Sequence, residues 1–377
     1  MDRPVRPPLD DAAPAPAGGG ACAQGRRAVV GPGAQDDRDD RTAPGGSGAS
    51  EGGPASGPAT VPLGLPSEWT ASLHRDPLGH EAYHALIQER MADLERLEAQ
   101  GGAHLSPGPG LLVALDVDGT ILDLDGSVSE RAMAAIARLR ARGVAVVIST
   151  GRGIDAALPV VRHLGISEGW LVCANGALTL RLDPGAPGGF EIVDERSFDP
   201  TTAVSTLLAA VPEGIVAVEI PGVGFKVSRP FPNGELIEDQ IVVGLDELCS
   251  TPVTRVVLRA PGMSVDEFSA LVAGAGLHSV EYAIGWTAWL DVAPEGVTKA
   301  SALDALVARL GLDPARTLAV GDGSNDVEMI EWAGVGVVMG SAPQWVRERG
   351  DILTEPVWRE GCAAVLDALV ERVRQND

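Results

Sequence analysis

The chain has 377 residues, more than one compact core normally holds, so several structural parts are expected. Its 29 basic and 52 acidic residues give a formal charge of −23, which repels nucleic acid and anionic membrane surfaces and argues against either as the main partner. The longest apolar runs, 111–115 and 144–148, stop far short of the roughly 20 residues of a membrane helix, and the first residues lead into no apolar signal region, so a soluble, unsecreted protein is expected.

Cys22, Cys173, Cys249 and Cys362 are at least 76 residues apart and form no CxxC pair, which fits buried thiols in a reducing cytoplasm better than a zinc knuckle or a disulfide framework. Residues 1–65 contain 35 Ala, Gly or Pro and no aromatic ring, too little apolar area to offset ordering entropy, and 1–66 is expected to be a disordered tail. Residues 67–110 form a helix-and-linker segment. From His80 to Ala99, Tyr83, Leu86, Ile87, Met91, Leu94 and Leu97 recur at three- and four-residue steps, predicting an amphipathic helix that docks on an unnamed surface. The chain from Ser106 onward is expected to be active without it.

After Gly110 the rhythm is that of an α/β domain. Leu111–Val117 is an apolar run of strand length, Ser127-Val-Ser-Glu130 matches a capping box ahead of a helix, and Val144–Ile148 is a second strand. This βαβ unit implies parallel strands. A helix over Ile154–Leu164 and a strand over Trp170–Cys173 complete a first part, 111–175. The texture then changes. Strand-like pieces at Ile215–Ile220, Val253–Leu258, Ser279–Ile284 and Thr287–Val292 suggest a separate domain inserted over 176–293. The α/β alternation resumes over 294–377, with a helix capped by Thr298, strand Thr317–Val320, a helix from about Asn325 and strand Val335–Val338.

Four short segments at strand ends carry residues suited to chemistry. Asp116-Val-Asp118-Gly-Thr120 follows the first strand, where open α/β sheets bind ligands. Two carboxylates so close call for a cation or a proton, and a divalent metal is the functional reading of what could otherwise be an acidic turn. Ser149-Thr150-Gly151-Arg152 follows the second strand with a hydroxyl and free N–H groups, a ready anion site or a plain turn. Lys299 sits in a first helical turn, where the macrodipole disfavours it; taken alone it is a solvated lysine. Gly321-Asp322-Gly-Ser-Asn325-Asp326 opens a helix with more hard oxygen ligands, or with ordinary turn and cap residues.

In this order, DVDGT, the Thr of STGR, a lone Lys299 and GDGSND resemble the haloacid dehalogenase (HAD) superfamily of phosphohydrolases over about 111–377. Only 34 positions separate Asp116 from Thr150, whereas 149 separate Thr150 from Lys299, so the insertion resembles that family's C2 cap. Asn175-Gly-Ala177 and Val338-Met-Gly-Ser341-Ala-Pro resemble its Cof-type subgroup, with Ser341 where the subgroup usually has Asn.

The resemblance implies an α/β fold: a doubly wound, parallel-sheet HAD core with an inserted α+β cap. It implies that Asp116 is the nucleophile, forming an aspartyl-phosphate, and that Asp118 is the general acid and base. Magnesium would be held by Asp116, the backbone carbonyl of Asp118, and Asp322. Thr150, Gly151, Arg152, Asn175, Gly176 and Asn325 would bind phosphate or substrate. Lys299 would oppose phosphate charge, and Asp326, with Asn325, would orient water ligands or Lys299. The implied activity is magnesium-dependent hydrolysis of small phosphorylated metabolites, sugar phosphates or phosphorylated cofactors.

Transfer to another acceptor, as in a phosphotransferase or phosphomutase, and a silent binding module are the alternatives. Lys226, Arg229, Trp286 and Trp289 of the cap could meet a leaving group, but surface or packing roles account for each, and Arg152 could bridge toward the cap. His80-Glu-Ala-Tyr-His84 matches the H-E-x-x-H zinc pattern on the first helix but lacks a third ligand at a known spacing, so a chance match is expected.

Overall fold

The computed structural model describes residues 78–372, apart from 103, 124, 237, 276, 278, 279 and 285–287. The expected disordered tail, Cys22 and Trp286 lie outside the described residues. Helix α1 (His80–Ala99) precedes β1 (Leu112–Leu115), α2 (Glu130–Ala141), β2 (Ala145–Ser149), α3 (Ile154–His163), β3 (Gly169–Cys173), β4 (Leu178–Leu182) and β5 (Phe190–Glu195). A second group comprises α4 (Thr201–Ala210), β6 (Ile215–Ile220), β7 (Gly224–Val227), β8 (Gln240–Val242), α5 (Leu245–Leu248), β9 (Val256–Arg259), α6 (Val265–Gly274), β10 (Val280–Ile284) and β11 (Trp289–Pro294). The chain continues through α7 (Lys299–Leu310), β12 (Thr317–Gly321), α8 (Val327–Trp332), β13 (Val335–Val338), α9 (Gln344–Arg347), β14 (Ile352–Leu353) and α10 (Gly361–Arg372).

Eight strands form the main sheet in the order β14-β13-β12-β1-β2-β3-β4-β5. The six from β14 to β3 run parallel, and β4 and β5 add an antiparallel hairpin at one edge. All four residues of β1 are buried because helices cover both faces of the sheet, which is why the strand reads as a continuous apolar run rather than an alternation. Val113 and Leu115 point into a cluster with α1, α2 and α10, and Leu112 and Ala114 into another with α7 and α8. The second sheet, β10-β11-β9-β6-β7-β8, has its own core around Phe268, Leu258 and Leu290.

Three expectations are corrected here. The residues after Gly176 do not leave the main sheet: Cys173 pairs with Leu178, so β4 and β5 extend it, and the second sheet's elements begin only at Thr201. The texture change at 176 is a switch from parallel to antiparallel pairing, which carries the same strand signature as a new domain. Second, α2 is capped by Ser129, whose hydroxyl accepts from Ala132 N, while Ser127 binds Asp125 instead. Third, α1 is not an accessory. Its Tyr83, Leu86, Ile87, Met91 and Leu94 are buried in the main core, and the Tyr83 hydroxyl donates to Asp367 on α10 at 2.9 Å. Removing everything before Ser106 would strip that core.

Candidate active site

The sequence-marked residues meet at the carboxyl ends of β1, β2, β3 and β12. Asp116 directly follows β1 and stays in register, its N–H donating to the Val320 carbonyl on β12. Beyond it the chain turns back on Val117, whose carbonyl accepts from Thr120, Ile121 and Leu122. Gly119 takes φ +79°, and a Cβ there would stand 2.2 Å from Oδ2 of Asp322. Only glycine allows both the left-handed turn and the approach of that carboxylate.

Lys299 opens α7 and is completely buried, so the solvated reading does not apply. Its Nζ donates to Oδ1 of Asp116 at 2.6 Å and to Oδ1 of Asp326 at 2.7 Å. The other oxygen of Asp326 accepts from the backbone N–H groups of Asp322 and Gly323, at 3.0 and 2.9 Å. One carboxylate thus fixes both the turn after β12 and the ammonium.

Asp116, Asp322 and Asp326 each bring a carboxylate oxygen within 4.8 Å of the others, and among the described residues no other group of three His, Cys, Asp or Glu does so. His80 and His84 are exposed on α1 and belong to no such group. Burial pushes the Asp116 carboxyl up to about 7, reinforced by Asp326 and Asp118 and opposed by Lys299. Burial, then Asp116 and Asp326, push Asp322 well above the usual carboxylate range. Burial disfavours the Lys299 ammonium, but Asp116 and Asp326 outweigh it and hold the group charged.

Three buried carboxyl groups share one ammonium, so ionising all of them calls for further positive charge, and Oδ2 of Asp322 is buried without a hydrogen-bond partner. An all-oxygen donor set with an orphaned oxygen fits a hard divalent cation.

The Asp118 carboxylate is not in that group. The Arg152 guanidinium grips it in a fork, Nε to Oδ2 at 2.8 Å and Nη2 to Oδ1 at 2.6 Å, while the Asp118 side chain keeps 44% of its surface exposed. Thr150 is buried; its N–H donates to Val172 and its hydroxyl oxygen accepts from Arg152 N, so the loop after β2 is tied to β3. Ala174, Asn175 and Gly176 all take positive φ, a tight reversal that aims the Asn175 amide inward, where its Oδ1 accepts from Asn325 Nδ2 at 2.9 Å.

Arg152 lies in the field of Glu238 of the cap, and a second residue ties the same loop to the cap. Arg255, one position before β9, donates through Nη1 to the carbonyl of Gly151. It is buried against Glu219 of β6, with Nε to Oε2 at 3.2 Å, and against Asp291 of β11 at 3.3 Å. Sequence reading passed over these residues; a lone charge inside each of two apolar strand runs was the available signal. Of the cap residues considered, Trp289 is half-buried beside Phe231, Lys226 pairs with Glu247 and Arg229 lies near Glu213.

A family model described as haloacid dehalogenase-like hydrolase matches residues 113–213 and 238–366. A 5-amino-6-(5-phospho-D-ribitylamino)uracil phosphatase of Bacillus subtilis is 25% identical over 274 residues, covering 68% of this chain and 94% of that protein. A phosphoglycolate phosphatase of Halobacterium salinarum is 26% identical over 257 residues, 68% of this chain and 96% of its own length. The phosphatase BT1666 of Bacteroides thetaiotaomicron superimposes with a TM-score of 0.57 at 23% identity, over 69% of this chain and 94% of that structure. No described helix is long and apolar enough to cross a membrane.

Proposed function

The chain belongs to the haloacid dehalogenase-like hydrolases, and from that premise we propose that it is a magnesium-dependent phosphatase of small phosphorylated metabolites, sugar phosphates or phosphorylated cofactors, working through an aspartyl-phosphate. The observation that carries this reading is the buried group of Asp116, Asp322 and Asp326 around Lys299 at the end of the parallel sheet.

Asp116, Asp322 and the backbone of Asp118 would hold the metal, which when bound offsets the repulsion between carboxylate and phosphate. An oxygen of Asp116 attacks phosphorus and the bond to the leaving oxygen breaks, giving the covalent intermediate. Asp118 gives its proton to the leaving oxygen and later takes one from the water that attacks the aspartyl-phosphate. To carry that proton Asp118 loosens its fork with Arg152, whose guanidinium is then free to turn toward the phosphate.

Thr150 and Lys299 face the non-bridging oxygens and oppose their charge, while Asp326 keeps the ammonium in place. Gly151, Asn175, Gly176 and Asn325 shape the cradle around the phosphate. The cytoplasm suits the thiols at Cys173, Cys249 and Cys362, all free. Phosphate release should be measured over a panel of metabolite monoesters with magnesium. Asp116→Asn is expected to release none above background, and equal release by wild type and variant would overturn the assignment.

A further inference from the structure

The cap's charges restrict what kind of leaving group the site accepts. Residues 199–293 contain 12 Asp or Glu and only four Lys or Arg. Each of those four cations is committed to a cap carboxylate: Lys226 to Glu247 at 3.3 Å, Arg229 to Glu213 at 4.0 Å, Arg255 to Glu219 and Asp291, and Arg259 to Glu235 at 2.6 Å.

The carboxylates closest to the chemistry lie over the 151–153 loop. A Cβ on Gly153 would sit 2.5 Å from Oε1 of Glu219 and 3.0 Å from Oε1 of Glu238. Asp291 lies within the field of the catalytic Lys299 and accepts from Trp289 Nε1 at 3.1 Å. Arg255 engages Glu219, Asp291 and the Gly151 carbonyl through Nε and Nη1, and Arg152 on the same loop, in the field of Glu238, is forked to Asp118. Three carboxyl groups against two guanidiniums, each already bonded to a carboxylate, leave this face richer in acidic groups than in cations. Trp289 adds an apolar ring beside them.

Resting on the phosphatase reading, we propose that the substrate's leaving group is uncharged or cationic and bears hydroxyl or amine donors that Glu219, Glu238 and Asp291 receive, and that anionic leaving groups are rejected. A carboxylate or second phosphate brought under this face meets the acidic groups of Glu219, Glu238 and Asp291, so discrimination arises from repulsion as much as from attraction. A polyol or an amine instead gives the acceptors the donors they lack.

The test is a matched series of esters: 2-hydroxyethyl phosphate, 2-aminoethyl phosphate and phosphoglycolate on two carbons, and ribitol 5-phosphate against ribonate 5-phosphate on five. p-Nitrophenyl phosphate serves as a general reporter. The neutral and cationic members are expected to exceed their anionic counterparts in kcat/KM by about tenfold or more, with the gap shrinking as salt rises. Glu238→Gln, at a partly exposed position, should narrow it further by weakening the repulsion.

Turnover of p-nitrophenyl phosphate without discrimination within the series, or a preference for the anionic members, overturns this inference and leaves the phosphatase reading standing. Absence of release from every ester, the reporter included, overturns both.

Discussion

Replacing Lys299 by Met keeps the volume of a fully buried side chain and deletes one charge, which makes it a direct probe of the electrostatics of the site. In the native protein that ammonium satisfies two carboxylates at 2.6 and 2.7 Å. Removing one partner of a buried ionic group typically costs about 3–5 kcal/mol, because the remaining charges stay desolvated and unpaired. Part of this is recovered here. Asp116 is already raised to about 7 with the ammonium present, so without it the carboxyl takes up a proton more readily and sheds its charge.

We therefore expect Lys299→Met to lose about 2–4 kcal/mol at pH 8 in EDTA and less at pH 5.5, where Asp116 is already protonated. Urea unfolding at the two pH values measures both quantities. With magnesium, phosphate release should fall by about 100- to 1000-fold, the usual effect of deleting a preorganised charge at the reacting group. A loss below about 1 kcal/mol at pH 8, or a penalty that grows toward low pH, would refute the claim that Lys299 neutralises a strained carboxylate group.

Gly119→Ala should lower kcat/KM by about 100-fold or more while costing only about 1–3 kcal/mol of stability, since its Cβ collides with the Asp322 carboxylate in a left-handed turn; retention of half the activity would contradict that packing. In EDTA the wild type should lose stability as pH rises from the unfolded carboxyl value of about 4 through about 7, because burial raises Asp116 and the folded state binds the extra proton; excess magnesium should flatten that slope in the same unfolding series. Met91→Ala should cost about 2–4 kcal/mol in denaturation, and a chain beginning at Ser106 should lose soluble yield, both following from the burial of α1 in the main core.

Much of the molecule was legible where local signals suffice. The strands around β1 announce themselves as apolar runs because both faces are covered, and α1 spans His80–Ala99 as its periodicity predicts. Asp116, Thr150, Lys299 and Asp322 were legible as candidates because each lies at a strand end or in a first helical turn.

What escaped depends on partners distant in sequence. Nothing in Leu178–Leu182 distinguishes an edge strand of the first sheet from the first strand of a second, since that is decided by pairing with β3. The burial of Lys299 is invisible in a sequence that offers only a lysine at a helix start; its partners, Asp116 and Asp326, lie far away along the chain. Arg255 and Glu219 form a cross-strand pair 36 positions apart, so each alone looks like an interruption in a strand.

The return path from the second sheet to the main one is short. Strand β11 ends at Pro294 and α7 begins at Lys299, so four residues join the second sheet to the helix that carries the ammonium. On the proposed function, a displaced β11 would carry Lys299 with it through so short a link. Changes at 295–298 should then shift preference and rate in the same step.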